Sequence, residues 1–211
     1  MKLMKYKRKQ FKVWQRRLKQ RGRGLSIAAL AVIAVGTVIG VGMQETQKIH
    51  TTDLLNTIAK VESKYNYNAH FGNPNNDAVQ FTAMTVNEVL AWQKQFVEQG
   101  NPSSAVGRYQ FIDSTLEGLV RELDIDRGVK FDEGLQDRLA VALLERRGIR
   151  EYVENKMSRE EFAHSLSKEW AALPKAKGEN PDQSYYASDG LNKAQLSIDE
   201  IYASIATVRK L

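Results

Sequence analysis

One stretch of 19 residues without a charged side chain, residues 25–43, divides this chain and limits how its parts can fold. As a helix it would be about 28 Å long, close to the roughly 30 Å thickness of the hydrocarbon core of a bilayer. We therefore expect one transmembrane helix over 25–43. A cleaved signal peptide is the alternative, because Gly40-Val41-Gly42 offers small residues at a cleavage spacing. The stretch exceeds the usual apolar region of about 7 to 15 residues, which favours an uncleaved anchor.

The positive charge of the chain is concentrated before this segment. Residues 1–44 hold eleven Lys and Arg and no Asp or Glu, which leaves 20 basic against 25 acidic residues for 45–211. The net charge of +6 therefore conceals an acidic C-terminal part, which argues against nucleic acid as its partner. By the positive-inside rule we expect the arm 1–24 in the cytoplasm or a particle interior, and the C-terminal part exported to the periplasm.

The basic arm itself has apolar residues at helical spacing among its cations. This pattern is typical of a helix that lies on an anionic lipid leaflet, and a simple topogenic tail is the alternative. In the anchor, Gly36 and Gly40 have the spacing at which two membrane helices approach closely, although such pairs are common in Ala/Gly-rich spans.

The rest of the chain is predicted to be a linker, 44–50, followed by one domain, 51–211. This domain has no cysteine, so it must fold without disulfides. Asn, Gly, Pro and aromatic residues over 66–85 predict turns and a small β-hairpin. Thr52 and Asp53, and later Asp113, are predicted to cap helices, and a further helix is expected over 133–147. The capping box Thr85-x-x-Glu88 and the motif Ser158-x-x-Glu161 each open a helix, whereas Ser197-x-x-Glu200 lies within or opens a last one. The expected fold class is α+β, mainly α.

Glu62 is the carboxyl with the most informative position. Leu55, Ile58 and Glu62 are spaced by three and four residues, so Glu62 shares the face that its helix buries. Burial and the negative end of the helix dipole both raise the pKa of a carboxyl, as a general acid near neutral pH requires. On this pattern alone, a glutamate exposed to solvent at a helix end is the favoured interpretation, and only the further motifs of the chain reverse it. The aromatic and amide side chains that follow, Tyr67 among them, suit sugar rings and hydroxyls but also form turns.

The second informative segment is Gly107-Arg108-Tyr109-Gln110. The glycine lets the backbone approach a ligand, the tyrosine offers a ring and a hydroxyl, and the glutamine amide both donates and accepts hydrogen bonds. These groups suit a sugar with an acetamido substituent. Arg108 can equally pair with one of the many acidic residues.

Taken together, several segments resemble phage muramidases of the lysozyme superfamily, and most closely the lambda-like endolysins, which are lytic transglycosylases. The resemblance covers about 51–175 and rests on these segments in order: Glu62-Ser63, 66–72, 84–89, 104–111, 131–144 with Gln136-Asp137, and 169–174. It implies a lysozyme-like domain with Glu62 as the catalytic acid and with Ser63, Tyr67, Gly107, Arg108, Tyr109 and Gln110 as substrate-binding residues. Typical lambda-like endolysins lack the basic arm and the anchor, and 176–211 has no clear counterpart, although Tyr185 and Tyr186 are candidates to reach the groove.

The resemblance implies a membrane-anchored enzyme that cleaves the β-1,4 bond between N-acetylmuramic acid and N-acetylglucosamine and leaves 1,6-anhydro ends. Two alternatives stay open: a hydrolytic muramidase, with Asp77 as a second carboxylate, and a non-catalytic glycan-binding component of a membrane or virion. Neither a cofactor nor a metal is expected, because His50, His70 and His164 are scattered and no thiolate exists. The sequence leaves open whether the protein serves lysis, a phage particle or a cell-envelope machine.

Overall fold

The computed structural model describes residues 48–211. The basic arm 1–24, the expected transmembrane helix 25–43 and most of the linker 44–50 lie outside the described residues. Within 48–211, each helix is too short or too polar to cross a bilayer.

The described part of the chain contains seven α-helices and two short strands, which agrees with the expected α+β, mainly α, class. In chain order the elements are β1 (Ile49–His50), α1 (Thr52–Ser63), α2 (Val86–Glu98), α3 (Asp113–Glu122), α4 (Glu133–Arg146), α5 (Ile149–Val153), α6 (Arg159–Leu166), α7 (Ile198–Ala206) and β2 (Arg209–Lys210). Single turns of 3₁₀ helix occur at Phe81–Ala83 and Ala187–Asp189.

The two strands join the ends of the domain, which differs from the prediction. Strand β1 pairs antiparallel with β2, with Ile49 opposite Lys210 and His50 opposite Arg209. Ile49 and His50, assigned to a linker from the sequence, therefore belong to the folded unit. The small hairpin expected within 66–85 does not form, because this segment is held by turns and isolated bridges such as His70 with Asn73. Asparagine side chains replace the strand ladder there: the Asn66 amide donates to the carbonyls of Pro74 and Asn76.

Most helix starts follow the predicted local signals. The helix starts predicted at Thr85 and Ser158 are confirmed, and Ser197 opens the last helix. All three starts form capping boxes, each with reciprocal bonds between the N-cap and the third helical residue. The predicted caps of two other helices are wrong. Helix α1 begins after Thr51 without a side-chain cap. Helix α3 begins after Ile112, and its first residue, Asp113, is held instead through Ser104, whose hydroxyl donates to the carboxylate and accepts from the backbone N–H.

Packing of the helices places the end of α1 inside the domain. Helix α7 packs on α1 and on α6, and the hydroxyl of Ser204 donates to that of Thr57 at 2.9 Å. Leu54 and Ile58 of α1 are fully buried in the core, and so are Leu139 and Leu144 of α4. Burying a leucine or isoleucine side chain contributes roughly 1.5 to 3 kcal/mol to the stability of the folded state. The packing of Leu54 and Ile58 therefore holds α1, including its last turn, in the core.

Candidate active site

Glu62 lies in the last turn of α1, and its side chain is only partly exposed. One carboxylate oxygen accepts a hydrogen bond from the backbone N–H of Ala172 at 3.3 Å. Burial raises the pKa of Glu62 from 4.5 to about 7, and the Ala172 bond opposes that change only in part. Near neutral pH, both the protonated and the ionised form of this carboxyl are therefore populated. A group that first donates and then accepts a proton must be able to adopt both forms.

The helix ends immediately after Glu62 because the backbone turns left-handed. Lys64 and Tyr65 both have positive φ angles, 53° and 68°, and the N–H of Lys64 returns to the carbonyl of Ala59. Ser63 is fully buried and donates its hydroxyl to the carbonyls of Ala59 and Arg108. This places Ser63 behind Glu62, where it ties α1 to the loop 107–110.

A groove of about 870 Å³ passes Glu62. Its walls come from the end of α1, the loops 71–72 and 102–112, the segment 168–172 and the loop 186–195. Among the residues predicted to bind substrate, Tyr109 and Gln110 border this groove together with Glu62, whereas Ser63, Tyr67, Gly107 and Arg108 are not among its lining residues.

The loop 107–110 is held in place from behind by α4. Gly107 has a φ of 80°, and a Cβ there would overlap the side-chain oxygen of Gln136. That oxygen accepts the backbone N–H of Arg108 at 2.9 Å, while the amide nitrogen of Gln136 donates to the carbonyls of Phe131 and Tyr67. Gly107 is thus required for the close approach of the loop to α4.

Two tyrosines share one carboxylate behind the groove. The Tyr109 hydroxyl donates to Asp137 at 2.7 Å, and the Tyr67 hydroxyl is 3.0 Å from both oxygens of the same carboxylate. Burial, with the negative charge of Asp137, raises the pKa of Tyr67 to about 12 and that of Tyr109 well above its ordinary value. Both hydroxyls therefore stay protonated and act as donors. The resemblance includes Asp137 but implies no role for it. In the structure, Asp137 holds the loop 107–110 through the hydroxyl of Tyr109.

Arg108 has its guanidinium within 6 Å of three tyrosine rings, with the ring of Tyr67 closest at 4.8 Å. It also donates to the side chain of Asn56 at 2.7 Å. Arg108 therefore braces the loop against α1 through an amide and aromatic faces, and the alternative of an acidic partner is not realised among residues 48–211.

Other carboxyls near the groove are already engaged. Glu169 lines the groove and accepts two bonds from Arg147, at 2.6 and 2.8 Å. Asp189 is exposed at the rim, and hydrogen bonds from the backbone N–H groups of Asn192 and Leu191 lower its pKa. Asp77, the predicted second carboxylate, is exposed in the irregular segment that follows the turn at 74–75, and it is not a lining residue.

The groove also contains residues that the sequence analysis did not assign as site residues. Trp170 is buried and donates its indole N–H to the carbonyl of Tyr109 at 3.3 Å, which joins the segment 168–172 to the loop 107–110. Tyr186 lines the groove, in line with the suggestion from the sequence, and Tyr185 does not. The signal for Trp170 was present, since it lies within the segment 169–174 of the resemblance.

A family model described as Endolysin matches residues 51–195. The chain belongs to the endolysin family. Endolysins are phage enzymes that degrade the bacterial cell wall, so the chain is a peptidoglycan-cleaving enzyme. The matched range contains every wall of the groove around Glu62, including the loop 186–195. Neither a curated protein nor a solved structure matches the chain significantly.

Proposed function

We propose that this endolysin is a lytic transglycosylase of the lambda-like type, with a lysozyme-like domain. It acts on the β-1,4 bond between N-acetylmuramic acid and N-acetylglucosamine and leaves 1,6-anhydro ends. The observation that carries the proposal is Glu62, a carboxyl beside a long groove with a pKa of about 7. The remaining carboxyls of the groove, Glu169 and Asp189, are held by other groups, which favours a reaction that needs one carboxyl.

In the first step the protonated Glu62 donates its proton to the glycosidic oxygen as the bond from that oxygen to the muramic acid C1 breaks. In the second step the Glu62 carboxylate removes the proton of the C6 hydroxyl of the same sugar. The C6 oxygen bonds to C1, which closes the anhydro ring and returns Glu62 to its protonated form. A pKa near 7 suits both steps, because the group must donate and accept a proton within one turnover.

The other predicted binding residues have roles that follow from their positions. Gln110 and Tyr109 border the groove, so we assign the Gln110 amide to the acetamido group or hydroxyls of a sugar and the Tyr109 ring edge to its face. Ser63, Tyr67, Gly107 and Arg108 hold that loop and α1 in register.

The test is the variant Glu62→Gln together with product analysis. Glutamine keeps the size of the side chain and an oxygen for the Ala172 N–H, but it cannot transfer a proton. Cleavage of purified peptidoglycan, followed by turbidity, should fall by about 10²- to 10⁴-fold or more while binding persists. Full activity of the variant would remove Glu62 from the reaction. Wild-type products with 1,6-anhydro ends support the transglycosylase, whereas reducing ends alone would establish the hydrolytic muramidase instead.

We also propose that residues 25–43 are retained as a single membrane anchor, with the arm 1–24 on an anionic cytoplasmic leaflet. This rests on the length of the uncharged stretch and on the eleven preceding cations. A reporter fused after Leu211 should be active only outside the cytoplasm. Loss of residues 1–43 from the mature protein, seen by mass spectrometry, would show a signal peptide. Finding the protein in purified phage particles or in the host inner membrane would separate a virion role from a lysis role.

A further inference from the structure

A second cavity, of about 380 Å³, adjoins the groove. It is partly open to solvent and is lined by residues between 182 and 194, and it shares Asn192 and Lys193 with the lining of the groove. Because the two share lining residues, the cavity lies beside the groove, next to a chain bound there.

The cavity is fixed to the segment that contacts Glu62. The backbone N–H of Gln195 donates to the carbonyl of Ala172 at 2.8 Å, and the N–H of Ala172 is the one that contacts Glu62. On the other side, the N–H of Lys175 donates to the carbonyl of Gln183 at 2.8 Å. Backbone hydrogen bonds thus connect the lining of the cavity to the segment that contacts Glu62.

The polar groups of the cavity carry both signs of charge. Lys193 has no carboxylate within ion-pairing distance among residues 48–211. Ser184 is buried, and its hydroxyl accepts the N–H of Tyr186 at 3.1 Å but donates to no group in the described chain. Asp182 adds a carboxylate to the same cavity. An ammonium and a hydroxyl proton suit a carboxylate ligand, and Asp182 suits an amine.

The substrate of the proposed reaction carries such a branch. Muramic acid bears a short peptide stem on its lactyl group, and this stem has free carboxylates and, at its third residue, a free amine. We propose that the cavity binds the peptide stem of the muramic acid that lies in the groove. Lys193 and Ser184 bind a stem carboxylate and Asp182 faces the stem amine. This assignment rests on the proposed function, since it takes the glycan strand to be bound beside Glu62.

The experiment compares two substrates with the full-length chain in detergent. One is purified glycan strands with intact stems, and the other is the same strands after an amidase has removed the stems. For each, kcat/KM is measured with the wild type, and affinity is measured with Glu62→Gln as the background. Wild-type protein should prefer the stem-bearing strands in both measurements.

Lys193→Ala is the diagnostic variant. It should reduce the preference for stem-bearing strands by roughly 2- to 5-fold, the range expected for an exposed ion pair. The wild-type preference should also weaken as salt is raised, and the preference of the variant should depend less on salt. Lys177→Ala is the matched control, because Lys177 is an exposed lysine of the same C-terminal segment that lies outside both cavity linings. This control should keep the full preference.

The outcomes separate the two proposals. If the wild type cleaves both substrates equally, or if Lys193→Ala keeps the wild-type preference, the stem site is refuted and the proposed reaction stands. If the wild type cleaves neither substrate but binds stem-bearing strands more tightly in a Lys193-dependent way, the proposed reaction is refuted and the stem site stands.

Discussion

Replacing Glu62 by glutamine should stabilise the folded domain above neutral pH. The carboxyl has a pKa of about 7 in the folded protein, against an ordinary value of 4.5, because its surroundings disfavour the ionised form. Glutamine fills the same volume, carries no charge and keeps an oxygen for the Ala172 N–H. The substitution therefore removes the cost of ionising a buried carboxyl without opening a cavity.

The size and pH range of this effect follow from the raised pKa. Between pH 4.5 and about 7 the unfolded chain releases the Glu62 proton while the folded protein still holds it. The wild type thus loses stability as pH rises through that window, and the loss is complete above about pH 7. A pKa raised from 4.5 to about 7 corresponds to about 3 kcal/mol of unfolding free energy. That is a large share of the roughly 5 to 15 kcal/mol that stabilises a typical domain.

The assay is urea denaturation of wild type and Glu62→Gln at pH 4 and pH 8, followed by tryptophan fluorescence. We expect the variant to gain up to about 3 kcal/mol over the wild type at pH 8 relative to the difference at pH 4. Glu98→Gln is the matched control, since Glu98 ends helix α2 but its side chain is 65% exposed. The same free-energy difference at both pH values would refute the buried carboxyl, and with it the physical basis for Glu62 as a proton donor.

Three further outcomes are expected. Because the free enzyme must start with a proton on Glu62, kcat/KM for peptidoglycan should fall by about tenfold per pH unit above about 7, and a flat profile from pH 6 to 9 would contradict this. Gly107→Ala should destabilise the domain by about 1 to 3 kcal/mol in urea titrations, because the added Cβ overlaps Gln136 and a φ of 80° is unfavourable for alanine. Gly134→Ala, where the added Cβ has room, is the control. Asp137→Asn should lower the free energy of unfolding by about 1 to 3 kcal/mol and lower glycan affinity as well, because it weakens the hydrogen bond from the Tyr109 hydroxyl. Loss of affinity without loss of stability would instead place Asp137 in the groove.

The position of the carboxyl was predictable, but its surroundings were not. Spacing from Leu55 and Ile58 placed Glu62 on the buried face of a helix, because helical periodicity is a local property. The hydrogen bond from Ala172 comes from 110 residues further along the chain, and no local pattern encodes it. Asp137 illustrates the same limit. Its neighbours Tyr67 and Tyr109 lie 70 and 28 residues away, so its role appears only when the loop packs on α4.

Local sequence alone determined the helical character of the domain, the helix starts at the three capping boxes and the helix face on which Glu62 lies, since each depends on residues within one or two helical turns. Tertiary structure alone decided where the β structure lies: 66–85 satisfies its backbone through asparagine side chains, and the pairing of β1 with β2 joins opposite ends of the domain. It likewise decided that Gly107 and Arg108 support the groove from behind while Gln110 borders it. The physical reason is that burial and pKa depend on which distant segments exclude water from a residue, and those segments meet only in the folded chain.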